Sequence, residues 1–152
     1  MLEAPLRIRN YRPQDLDDLY KIDQICFPAY IAFSRAEFVS YLNHPKRIAR
    51  VAEASGRIIG FILARIQSSS YARILTLDVV PDARQCRVGM RLMTVLHKEL
   101  ARLKIGACVL EVGVRNIAAQ RLYEKLHYKT IGILSGYYRK REDAYRMIRK
   151  CE

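Results

Sequence analysis

The chain has 152 residues, 51% hydrophobic and 28% charged, the make-up of a single globular domain spanning 1–152 rather than of a disordered chain. No apolar run approaches the ~18 residues of a membrane span, and the N-terminal MLEAPLRIRNYRPQD has no stretch of signal-peptide length, so the expectation is a cytoplasmic protein without a membrane partner. Lys and Arg total 27 against 15 Asp and Glu, a net charge of +12, and a field of that sign draws polyanions such as phosphorylated cofactors, nucleic acid or acidic protein surfaces.

LRIRNY (6–11) alternates apolar and basic residues as a half-buried strand does. Pro13 then opens a helix over PQDLDDLYKIDQIC, with Leu16, Leu19 and Tyr20 on one face. Ser34 and Glu37 form a capping box for a short second helix that turns Phe38, Tyr41 and Leu42 inward. RIARVAEASGRIIGFILARI (47–66) predicts two strands around a turn at Ser55-Gly56, and ARILTLDVV (72–80) a third that ends at Pro81. From Gly89 to about Lys104 the period becomes helical, with Leu92, Leu96, Leu100 and Leu103 on one face and Gly106 as the left-handed stop. ACVLEVGV (107–114) is a buried strand, and Asn116 caps a helix carrying Ala119, Leu122, Tyr123 and Leu126 inward. Strands near 128–134 and 143–150 flank a loop, SGYYRKRE. The fold class is α/β: a mixed, mostly antiparallel sheet flanked by about four helices, in the order β-α-α-β-β-β-α-β-α-β-β.

Four scattered cysteines without a C-x-x-C pair and three dispersed histidines argue against zinc and against disulfides, so no metal is expected; Cys26 and Cys108 read as small core residues. The stretch richest in chemistry is LTLDVV, PDARQCRVG and MRLMTVLHKEL in succession. A strand ending in a basic loop that feeds a helix N-terminus directs free backbone N–H groups and the helix dipole at an anion. Glu111 lies mid-strand in an otherwise apolar run. A carboxylate there is either paired structurally or turned into a cleft where it can take a proton. Tyr123 on the inner face of the next helix reads as a core aromatic with a satisfied hydroxyl.

Arg84-Gln85-Cys86-Arg87-Val88-Gly89 resembles the R/Q-x-x-G-x-G/A signature of the GNAT acetyltransferase superfamily, with Arg87 standing where the first glycine of the pattern falls. LEVGVRNIAAQRLYEKLHY and GYYRKREDAYRM resemble segments of the bacterial ribosomal-protein-alanine N-acetyltransferases of the RimI type, His127 replacing a glycine. IDQICFP resembles the helix-to-loop entrance of protein N-terminal acetyltransferases, and the likeness covers about residues 6–150.

This resemblance implies a GNAT fold and direct transfer from acetyl-CoA to an amine in a ternary complex. The acceptor it implies is the α-amino group of a protein N-terminus, a ribosomal protein among the candidates. It implies Glu111 as general base and Tyr123 as general acid. The cofactor would be held by the backbone of Leu77, Asp78 and Val79, by the loop and helix start Arg84, Gln85, Cys86, Arg87, Val88, Gly89 and Met90, and by Asn116. Phe27 and Pro28 would clamp the acceptor peptide against Tyr137 and Tyr138. An N-terminal amine with pKa ~7.7–8.0 is about a tenth to a fifth neutral at pH 7, so modest base assistance suffices. Two alternatives keep the fold and take a small-molecule amine or a lysine as acceptor; another is a non-catalytic basic module for nucleic acid or the ribosome. No specific nucleic acid is expected as a partner, and the chain is expected to be a monomer or weak dimer.

Overall fold

The computed structural model describes residues 5–151. β1 (Arg7–Asn10) leads through a short 3₁₀ turn at Pro13–Asp15 into α1 (Leu16–Cys26), followed by α2 (Arg35–Leu42). Ser34 Oγ accepts the Glu37 N–H at 3.2 Å while Glu37 Oε1 accepts the Ser34 N–H at 3.0 Å, the reciprocal cap the sequence indicates. β2 (Arg47–Ala54) and β3 (Arg57–Ile66) meet at Ser55 and Gly56, whose φ of 54° and 71° give the doubly left-handed turn that matches strand twist. β4 (Ala72–Val79), α3 (Val88–Arg102), β5 (Ala107–Gly113), α4 (Ile117–Lys125), β6 (Lys129–Tyr138) and β7 (Glu142–Lys150) complete the order expected.

The seven strands form one sheet, β1-β2-β3-β4-β5-β7-β6, antiparallel throughout except between β4 and β5. Successive residues of β4 point to opposite faces. Asp78 reaches Asp23 of α1, whereas Leu77 lies beside Gly89 of α3, so α1 and α3 cover the two sides. Phe38 of α2 packs edge-on against Phe61 of β3 at 5.7 Å, and Leu92, Met93, Leu96 and Leu100 seal the other layer. Burial of this kind is the main force holding α3 on the sheet.

Three local expectations change. The left-handed residue after α3 is Lys104 (φ 58°), not Gly106. Gly106 is needed for space instead, since a Cβ there would stand 2.9 Å from the Ser70 carbonyl. Leu103 caps α3 and is 37% exposed rather than facing the core. β6 extends through Tyr138, so the paired tyrosines belong to a strand, and only Arg139, Lys140 and Arg141 form the turn. His97, inside α3, shares a 2.8 Å hydrogen bond with the Tyr128 hydroxyl, and burial lowers its pKa to about 4. Among the described residues no helix is long and apolar enough to cross a membrane.

Candidate functional site

β4 and β5 pair only at Ala72↔Cys108 and Arg73↔Val109 and then diverge. Beyond Arg73 the facing edges have no strand partner, which leaves backbone groups free in a cleft of about 1400 Å³. That exceeds the ~300–1,000 Å³ of a single small-molecule pocket and leaves room for two ligands side by side.

One end of the cleft is backbone. Arg84 Nε donates to the Val79 carbonyl at 3.0 Å, folding the loop back on the strand end. Gln85 (φ 66°) and Arg87 (φ 63°) are both left-handed, and Arg87 is the N-cap of α3 without a side-chain cap. The left-handed conformation is why glycine suits that position. With no cap, the first N–H groups of α3 are open to an anion. Val88, Gly89 and Met90 line this end, and Arg121 and Lys125 of α4 add positive charge to its wall. Asn116 accepts the Ala119 N–H at 3.2 Å as a helix cap and also lines the cleft. Cys86 turns instead against the core, and the expectation for Asp78 changes: its side chain is fully buried and its carbonyl faces Gly60 of β3, so on β4 it is Leu77 and Val79 that line the cleft.

The other end is built from side chains. Glu111 is both paired and cleft-lining: Oε1 accepts Arg73 Nε at 2.8 Å and Nη2 at 2.6 Å, and Oε2 accepts Arg146 Nε at 3.0 Å. Tyr137 donates to the same Oε1 at 3.3 Å, and its ring stands edge-on to Tyr138 at 4.9 Å. Burial raises the pKa of Tyr123 well above that of a free phenol, and the nearby Asp78 adds to the shift. The hydroxyl therefore stays protonated at neutral pH. Burial pushes the Cys26 thiol up to about 11, so the cysteine that donates to the Val79 carbonyl stays protonated and is no nucleophile.

Residues 16–128 match the family described as Acetyltransferase (GNAT) family. The chain belongs to the GNAT family. It is 30% identical to an N-alpha-acetyltransferase of Sulfurisphaera tokodaii over 93% of this chain and 90% of that protein. Among solved structures, the Escherichia coli ribosomal-protein-S18-alanine N-acetyltransferase matches with TM-score 0.89 and 25% identity, over 97% of this chain and 95% of the other. Ard1 from Thermoplasma volcanium matches with TM-score 0.89 and 26% identity, over 97% and 98%. The chain is thus a GNAT acetyltransferase, and the seven-stranded sheet with a splayed β4–β5 pair is its fold.

Several residues of this GNAT site have no signal in the sequence. Arg73 and Arg146 lie 38 and 35 positions from the carboxylate they hold. Asp23 and Asp78 form a buried carboxyl pair at the root of the cleft, with Thr76 also bonded to Asp78, and Asp23 accepts the Phe33 N–H at 2.9 Å. Burial and the neighbouring carboxyl raise the pKa of Asp78, and burial raises that of Asp23. Tyr30, in the loop after α1, donates to Glu142 at 3.0 Å, and Arg139 Nη1 donates to the Ala29 carbonyl at 3.2 Å. These two bonds span 112 and 110 positions and join the loop of Phe27 and Pro28 to the β6–β7 turn. Legible as site-forming were the segments LTLDVV, RQCRVGM, LEVGVRNIAAQRLY, IDQICFP and GYYRKREDA.

Proposed function

We propose that this protein transfers the acetyl group of acetyl-CoA to the α-amino group of a protein N-terminus, within a single domain of residues 1–152. The observation that carries the reading is the two-ended cleft: uncapped α3 amides at one end, and Glu111 with Tyr137 and Tyr138 at the other. The residues present suit the cofactor, since free β4 backbone beside a helix N-terminus accommodates an amide-bearing arm ending in phosphates. Acetyl-CoA supplies the acetyl group as a thioester, to be attacked by the neutral amine with the thiolate leaving.

Backbone groups on the open edge of β4, at Leu77 and Val79, would hold the arm, and the amides from Arg84 to Met90 would hold the phosphates. Phe27 and Pro28, on the loop that Tyr30 and Arg139 tie to the β6–β7 hairpin, would position the first residues of the peptide together with Tyr137 and Tyr138. Glu111 takes the proton the nitrogen gives up, directly or through a water, while Arg73 and Arg146 keep its carboxylate in place. Tyr123 donates its phenolic proton to the departing sulfur. A ribosomal protein in the cytoplasm is the finer assignment, supported by the likeness to the Escherichia coli enzyme and by the +12 charge, which favours a ribosomal setting.

Mass spectrometry of two peptides tests this reading. One has a free N-terminal Ala, Ser or Met; the other is blocked and carries an internal lysine. Acetylation of the free N-terminus alone is expected, and modification of the lysine alone would move the acceptor to a side chain.

A further inference from the structure

The two carboxylates on the acceptor wall are not electrostatically equivalent. Gly113 follows Glu111 by two residues and so faces the same side of β5. The Glu142 carboxylate fills the space a Gly113 Cβ would take. Glu111 is held by two guanidinium groups, two positive charges against one negative. Glu142 is only 7% exposed, and its hydrogen-bond donors are neutral: the Tyr30 hydroxyl at 3.0 Å and the Arg115 backbone N–H at 3.3 Å. Among the described residues it takes part in none of the ion pairs. The Arg115 and Arg141 side chains act on the Tyr30 hydroxyl without bonding Glu142, and Arg139 is committed to the Ala29 carbonyl.

A largely buried carboxylate bonded to no cation and lining an open cleft favours a cation from the ligand. The acceptor brings one, because at pH 7 about four-fifths or more of N-terminal amines are still ammonium. An ammonium approaching Glu111 meets two guanidinium groups already bonded to it; one approaching Glu142 meets a carboxylate bonded only to neutral donors, with Arg115 and Arg141 nearby but not in contact. We infer that Glu142 is the anchor for the acceptor's α-ammonium group, with Tyr30 orienting the carboxylate. The inference rests on the N-terminal reading above and names the group that captures the amine before it is deprotonated. Tyr30 also ties the site together, since its loop is the one that carries Phe27 and Pro28.

The test compares two peptides by calorimetry on the protein saturated with CoA, at about pH 6.5, where the N-terminal amine is almost wholly protonated. One peptide has a free α-amine; the other is its desamino analogue, identical except for hydrogen in place of the amine. The wild type is expected to bind the amine peptide about tenfold more tightly or better, the scale of a charge-assisted contact. Glu142→Gln is expected to erase that gap while leaving CoA affinity unchanged. Gly113→Ala displaces the carboxylate without removing it and narrows the gap in the same way, which keeps the test available if Glu142→Gln folds poorly. Equal weakening of both peptides would show a brace for the 113–115 turn and overturn the anchor. So would a gap that survives the substitutions. Wild-type turnover on free N-termini with equal affinity for the two peptides sinks the anchor alone. Turnover confined to lysine side chains sinks the N-terminal reading and, with it, the anchor as stated.

Discussion

At the proposed cofactor end of the cleft the groups assigned to the ligand are mainly backbone atoms of one stretch, residues 77–90, with α4 side chains beside them, whereas at the proposed acceptor end they are side chains brought from the 27–34 loop, β4, β5 and the β6–β7 hairpin. The first end forms when a strand, a left-handed loop and a helix follow one another, so local conformation is enough. The second end exists only when segments more than 100 positions apart meet, as Tyr30 and Glu142 do. Side-chain substitutions should therefore cut deeply at the acceptor end and shallowly at the cofactor end.

The largest effect is expected where the proposed proton transfers occur. Glu111→Gln and Tyr123→Phe should each lower kcat/KM for the peptide by about 10²–10³-fold, the range for losing a general base or acid. Acetyl-CoA affinity, measured by calorimetry, should stay unchanged, and a parallel loss of both would erase the distinction between the two ends.

A residue outside the cleft should affect both ends alike. His97 is held neutral by burial with a pKa of about 4, but in the unfolded chain it binds a proton below about 6.5. Acid therefore favours unfolding, and stability should fall by about 3 kcal/mol as the pH drops from about 6.5 to 4. Denaturant titrations at several pH values would show this slope, and His97→Leu should flatten it.

Asp78 lies on β4 between the two ends, its carbonyl toward Gly60 of β3 and its side chain on Asp23. Both carboxyls have raised pKa values in the folded protein, so folding takes up a proton and stability is lost as pH rises above the ordinary carboxylate range. Asp78→Asn leaves the backbone in place and should stabilise the protein by about 1 kcal/mol near pH 8, flattening the decline. Thermal melts across the neutral range would show it, and a drop in melting temperature would mean that the pair is ionised and held by unseen partners.

The smallest effect belongs to the cofactor end. Arg87→Gly relieves a left-handed non-glycine residue and should add about 1 kcal/mol of stability. Because amides rather than the guanidinium make that site, acetyl-CoA affinity should move by less than about threefold. A tenfold loss in calorimetry would assign the phosphate contact to the Arg87 side chain.

What the amino-acid sequence determined by itself lies within a few residues of its signal. The element order, the Ser34–Glu37 box, the Ser55-Gly56 turn, the Asn116 cap and the loop that leads into α3 all depend on interactions inside one or two turns of chain. Where a local expectation failed, a distant contact was the reason: Lys104 supplies the left-handed stop, and Gly106 is glycine because the Ser70 carbonyl crowds it from another loop. Glu111 was legible as a polar residue in an apolar strand, but its two guanidinium partners were not. Nor were the Asp23–Asp78 pair, the Tyr30–Glu142 bridge and the Gly113 hollow that receives a carboxylate. Those pairings were decided only by the tertiary structure, because strand register and the splay of β4 from β5 set which distant side chains meet, and no periodicity along a chain encodes a distance across a sheet.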